Sequence, residues 1–151
     1  MSFSSSRKLE LDVTQRIISR FKLINGTGNY ILRIPFENIF SEFKTISEIT
    51  AFPALCLGSL NIGPSEGGIR DKFDFPLSIE FLGYTYDVKA KAPAEDIAAL
   101  AHDCRFALCS DEFLNNKIQD FAVRIETGTI ERQGFLFGEI TGSFEHILVE
   151  A

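Results

Sequence analysis

From Phe75 the chain alternates apolar and polar residues with period two, through Leu77, Ile79 and Phe81. Past Gly83 and Pro93 the apolar spacing lengthens to that of a helix, through Ile97, Leu100, Ala101, Cys104 and Leu108. Residues two apart share one face of a strand, and residues three or four apart share one face of a helix. The stretch therefore predicts an alternating strand or hairpin feeding an amphipathic helix. At Gly83 the parity of the apolar positions changes, from odd below it to even above it at Tyr84, Tyr86 and Val88. A hairpin turning at Leu82-Gly83 sets Phe81 opposite Tyr84, Ile79 opposite Tyr86 and Leu77 opposite Val88. A single long strand with a bulge at Gly83 is the alternative. Leu82 suits the first position of a tight hairpin turn poorly, because those turns want a positive φ there.

The rest of the chain divides in the same way. Residues 1–8 read as a flexible arm, serine-rich and then basic, and residues 9–151 as a single domain. Asp12 is a good cap for a helix over Val13–Ile24, whose Val13, Ile17, Ile18, Phe21 and Ile24 share a side, and Asn25-Gly26 ends it. Tyr30–Ile34 reads as a first strand halted by Pro35. Phe36–Phe52 mixes a helical stripe (Phe36, Ile39, Phe40, Phe43) with strand-formers, and is expected to be a short helical turn or a lid. Pro53–Leu60 reads as a second strand, and Asn61–Asp74 as a loop around Gly63-Pro64-Ser65-Glu66-Gly67-Gly68. A helix opens at Pro93 with Glu95 and Asp96 in its first turn, and Ser110 or Asp111 caps one further turn. Phe121, Val123 and Ile125 alternate as a strand. Thr127–Gly134 reads as a polar connection, and Phe135–Val149 as a final β stretch broken near Gly138 and Gly142. The order predicts an α+β fold, a largely antiparallel sheet with two amphipathic helices on one face.

Composition and charge add four constraints. The formal charge of −6 speaks against a basic nucleic-acid-binding surface. Three cysteines at uneven spacing make no disulfide framework and point to a reducing cytoplasm. No apolar run approaches the length of a membrane span or resembles a secretion signal, so no membrane association is expected. Fifteen phenylalanines leave apolar surface that a second copy or a partner would cover.

Candidate chemistry is thin. His102, Cys104 and Cys109 are the cluster closest to a metal site. On one helix they do not face a common point, and Cys56 is the remaining cysteine for a fourth ligand. His102, Asp103, Cys109 and Ser110 have the residue types of a nucleophilic triad without a strand–turn–helix elbow, and an exposed helix face is the plainer reading. Glu145 and His146 are adjacent in a strand and face opposite ways. Neither glycine group has a nucleotide-binding pattern. No catalytic, metal or cofactor-binding residue is assigned, and an enzyme is not expected. The long polar connections carry the candidate interface instead, at Glu66, Arg70 and Asp71 in one and Glu131 and Arg132 in the other.

Taken together, the Val13–Ile24 helix with its glycine turn and Tyr30, the Pro53-Ala54-Leu55-Cys56-Leu57 strand with its glycine-rich loop, the Leu77–Phe81 strand, the Asp96–Leu108 helix and the closing strand pair form an order of elements. That order resembles the tail terminator (tail completion) proteins of long-tailed bacteriophages and spans nearly the whole chain. The resemblance implies a virion structural protein, made in the host cytoplasm and found in the tail and neck. It would form a ring of identical subunits, commonly a hexamer, that caps the tail tube, stops its polymerisation and joins the neck or connector. DNA would only pass through the lumen. Another head–tail joining or tail protein, or a small α/β ligand-binding or enzyme domain, is the alternative.

Overall fold

The computed structural model describes residues 4–63, 66–67, 72–86 and 92–147, with 4–10, 66–67, 72–74 and 145–147 described by their backbone alone. Three helices and six strands make an α+β fold: α1 (Ser4–Phe21), α2 (Pro93–Cys109), α3 (Glu112–Lys117), β1 (Ile39–Phe40), β2 (Ala54–Ile62), β3 (Glu66–Gly67), β4 (Lys72–Tyr86), β5 (Gln119–Ile130) and β6 (Gln133–Ile147). The sheet runs β1-β2-β4-β6-β5, and β3 pairs with β4. Among the described residues only the β1–β2 pair is parallel; every other pair is antiparallel.

One face of the sheet lies under α1 and α2. Val13, Ile17, Phe21 and Ile24 from the first helical region meet Leu55, Leu57, Ile79, Phe81 and Ile140 from the strands and Leu100, Cys104 and Leu108 from α2. These side chains are sealed from solvent, which makes this the main hydrophobic core. Phe81 crosses the sheet over Gly138, where an added Cβ would lie 2.1 Å from the ring. Gly138 is thus a packing requirement and not a break, and the β4–β6 ladder runs unbroken past it and Gly142.

The hairpin expected at Gly83 is not observed; of the alternative, the single long strand is present and the bulge is not. β4 is one strand with no bulge there, and Gly83 pairs with Leu55 on one side and Leu136 on the other. The parity changes because, from about Leu82 on, the strand buries both faces, with a glycine and a threonine on the helical side and the large side chains on the other. At Gly83 a Cβ would press on Leu100 at 2.9 Å, so the helix occupies the space that a side chain would fill. On the opposite face Tyr84 joins Ala54, Cys56 and Ile49 in a second small core, with Phe40, Ile46, Phe52, Leu82 and Phe135 around it. The Phe36–Phe52 stretch supplies that cover. It holds two single 3₁₀ turns, Phe36–Asn38 and Ile46–Glu48, joined through β1, which agrees with the lid expected from its mixed pattern.

Several boundaries move. α1 starts at Ser4, so residues 4–8 of the expected arm are helical and Asp12 lies inside the helix instead of capping it. Tyr30–Ile34 is no strand. It holds one isolated bridge, Asn25 to Arg33; the Ile31 and Leu32 amides donate to the Asp103 carboxylate at 2.9 and 2.7 Å, and those of Tyr30 and Ile34 to the Thr27 and Ile24 carbonyls. β2 runs on to Ile62, and within the expected Asn61–Asp74 loop lie β3 and the start of β4. Thr127–Gly134 is not a loop either. The β5–β6 ladder continues to the Ile130–Gln133 pair, leaving Glu131 and Arg132 as a two-residue turn with Glu131 at φ 54°. Asp111 caps α3 as expected, its carboxylate accepting from the Leu114 amide at 3.2 Å.

Candidate assembly interface

The candidate interface residues fall at the two ends of one strand. Glu66 sits on β3 opposite Asp74, near the start of β4. Glu131 and Arg132 turn the hairpin beside Tyr86, which pairs with Gln133 at the other end. Those positions are twelve residues apart along β4, roughly 40 Å at about 3.4 Å per residue. Arg70 and Asp71 lie outside the described residues. The five residues therefore do not form one patch; those that are described mark opposite ends of the sheet.

The hairpin end combines apolar and cationic character. Arg132 lies over the Tyr86 ring at 5.6 Å, and Tyr86 leans on Phe52 at 5.9 Å. Ile130 is 64% exposed and Tyr86 40% exposed, so two large side chains face solvent beside a guanidinium. Aromatic rings flanked by arginine are the composition that protein interfaces favour.

A third feature was not anticipated. Among the described residues, the sheet face away from the helices is covered only where the lid lies. Beyond the lid, β5 and β6 present Arg124, Glu126 and Glu139 on that face; Arg124 sits 3.7 Å from each glutamate and lies over Phe137 at 6.0 Å. At the far side of the sheet an open groove of about 320 Å³ is lined by Ser41, Glu42, Phe43, Gly58, Ser59, Asn61 and Glu80. Phe43 fits over Gly58, where a Cβ would approach its ring to 2.7 Å. The sequence signal was there but faint: the lone glycine of β2 marks a site where another group comes close.

The residues weighed for chemistry have structural tasks. Asp103 is fully buried and not on an exposed helix face as expected; its spacing from Leu100 and Ala107 points it inward, a signal available in the sequence. His102 lies outside, its Nε2 3.0 Å from the Asn29 carbonyl and its ring stacked on Phe106. Cys104 is in the main core and Cys56 in the lid core, on opposite faces of the sheet, so they cannot share a ligand. Burial pushes both thiols up, and that of Cys109 as well, away from the reactive thiolate. Among the described residues no group of three His, Cys, Asp or Glu side chains is placed to hold a metal ion.

Asp111 is the most strongly engaged carboxylate. It receives two hydrogen bonds from Arg16, at 2.6 and 3.0 Å, while Arg20 stands 3.9 Å away. Burial pushes its carboxyl up. The Arg16 hydrogen bond, the Leu114 amide and the two guanidinium charges outweigh that and hold it below the usual carboxylate range. The pair fastens α1 to the α2–α3 joint.

No helix among the described residues is long and apolar enough to cross a membrane. No family model matches the chain, and no curated protein matches it.

Proposed function

We propose that this chain is a structural virion protein, a tail terminator whose subunits close into a ring on the end of a phage tail tube, stop tube growth and present the neck or connector with a docking face. The observation that carries the reading is the sheet itself. Among the described residues it has a strand edge left largely unpaired on each side, an outer face only partly covered, and polar residues near both ends of the central strand β4, Glu66 at one and the Glu131–Arg132 turn at the other. A ring uses each of these: the edges or faces join neighbours, and the two ends address what lies below and above. The acidic balance of the chain suits a lumen through which DNA slides without being held. No bond is made or broken in this mechanism. Tube growth ends because the terminal ring offers no further surface for the tube subunit.

The test is to add the purified chain to the polymerising tube protein of its own virus. Tubes should become shorter in proportion to the chain added, with the chain sedimenting on them. Tubes of unchanged length, with the chain left in solution, would reject the reading.

One observation favours a second reading. An open cleft of about 530 Å³ lies between α2 and the Ile31-Leu32 segment, lined by Glu95, Asp96, Ala98, Ala99 and His102. A small ligand-binding domain would use it, and His102→Ala would then abolish function. On the terminator reading that substitution leaves tube capping intact.

A further inference from the structure

Three carboxylates are buried among the described residues, Asp96, Asp103 and Asp111, and two of them are matched. Asp103 accepts from the Ile31 and Leu32 amides, and Asp111 from Arg16 and the Leu114 amide. Asp96 is as deeply enclosed, at 2% exposure, yet no hydrogen bond or ion pair reaches its carboxylate among the described residues. A place in the first turn of α2 explains exposed Glu95, because a surface acid there answers the helix dipole. It does not explain enclosing the next carboxylate without a donor, which costs free energy until a cation or donor arrives. Asp96 lines the open cleft of about 530 Å³ beside the Ile31-Leu32 segment, so its charge can be met from outside.

We propose that the cleft binds an alkylammonium group, a positive nitrogen on a short aliphatic stem, with Asp96 taking the charge. The walls fit such a stem. Ile31, 45% exposed, and Leu32 form one side, and Ala98 and Ala99 form the other, where their small side chains keep the α2 wall low. From Glu95 to His102 that wall is about 10 Å long at 1.5 Å per residue, enough for a stem of lysine length. Glu95 at the rim adds a second negative charge that draws cations to the mouth. His102 bounds the other end, with its Nε2 held 3.0 Å from the Asn29 carbonyl. Arg33, the cation next to Leu32 in sequence, forms no ion pair with either acid among the described residues, so the place is not already taken from within. Mostly apolar walls with a few convergent polar groups are the usual make of a small-ligand site. A neutral chain would fill these walls but leave Asp96 unmet, and an anion would be repelled. The cleft lies on the helical side, away from the edges, outer face and turns that the ring uses. The proposal therefore does not rest on the ring; it rests on the second reading's use of the cleft and gives that cleft its ligand class.

The full chain tests this by nuclear magnetic resonance titration at neutral pH, with circular dichroism to confirm that each variant folds. The probes are n-pentylamine, n-pentanol, pentanoate, and lysine blocked at its backbone amine and carboxyl. Pentylamine should move the amide signals of Ile31, Leu32, Ala98 and Ala99 to saturation, with pentanol about tenfold weaker or worse and pentanoate without effect. Asp96→Asn keeps the shape and removes the charge; it should weaken pentylamine by about 10- to 100-fold and leave pentanol unchanged. Ala98→Leu, at an exposed position, narrows the cleft and should weaken every probe that binds. Saturation by the blocked lysine at lower concentration than pentylamine assigns the group to a protein side chain, and the reverse order assigns it to a free amine. No saturation with either amine overturns the proposal. Pentanol binding as tightly as pentylamine, or D96N binding pentylamine as tightly as wild type, also overturns it and leaves a cleft for neutral ligands. D96N should cap tubes at the wild-type level, so failure of the cleft and failure of the ring are read separately.

Discussion

Under the helices, Leu55, Ile79, Phe81 and Ile140 are sealed by α1 and α2; on the other side a short irregular lid covers Ala54, Cys56 and Tyr84 with Gly58, Leu82 and Phe135 around them, and charged residues lie beyond it. The first face is built from long elements whose apolar stripes interlock, so its energy comes from buried area and close packing. The second is held by a handful of contacts. Tyr84 donates its hydroxyl hydrogen to the Lys44 carbonyl at 2.9 Å, and the Glu48 carboxylate accepts from the Thr45 amide and hydroxyl at 3.0 and 2.9 Å. One face holds the fold, and the other leaves surface for neighbours.

Matched substitutions on the two faces put that contrast at risk. Phe81→Ala removes the ring that spans Gly138 and should cost about 3–5 kcal/mol in denaturant unfolding. Phe40→Ala, half-buried in the lid core, should cost well under half as much; equal losses would show that the lid is as structural as the helices. Asp111→Asn comes next, at about 1.5–3 kcal/mol, because Arg16 loses its charged partner. Its folded carboxyl sits below the ordinary value, so the stabilisation is present above about pH 4 and is lost as pH falls through the folded value. The D111N variant should accordingly lose less stability than wild type over that acid range, and parallel pH profiles would contradict the assignment. Tyr84→Phe should cost about 1 kcal/mol for its single hydrogen bond. Smallest of all, Thr85→Val should be neutral or stabilising by up to about 1 kcal/mol, since the buried Thr85 hydroxyl has no hydrogen-bond partner among the described residues.

The helical face was the legible one. Val13, Ile17 and Phe21, and again Ile97, Leu100, Cys104 and Leu108, repeat at helical spacing, and all of them are buried against the sheet. Strand parity located the same face up to Phe81. It failed at Gly83 because period-two reasoning assumes one buried face, while β4 buries one face along its length and the other beneath the lid. Tyr30–Ile34 had strand composition, but its Ile31 and Leu32 amides go to a helix carboxylate 72 and 71 residues away in sequence, a partner that no local pattern reveals. Thr127–Gly134 looked like a connection because an edge strand far from the core has no apolar alternation to display; its residues 127–130 are exposed on both sides. Of the candidate interface, the Glu131–Arg132 turn was found by its polarity.

Electron microscopy of tube ends, with the chain added to its own tube protein, tests the central claim most directly. The expected image is one rotationally symmetric ring with an open bore, seated on a single end of each tube. Bare tube ends, with the chain present only as single subunits or open-ended strings, would contradict it.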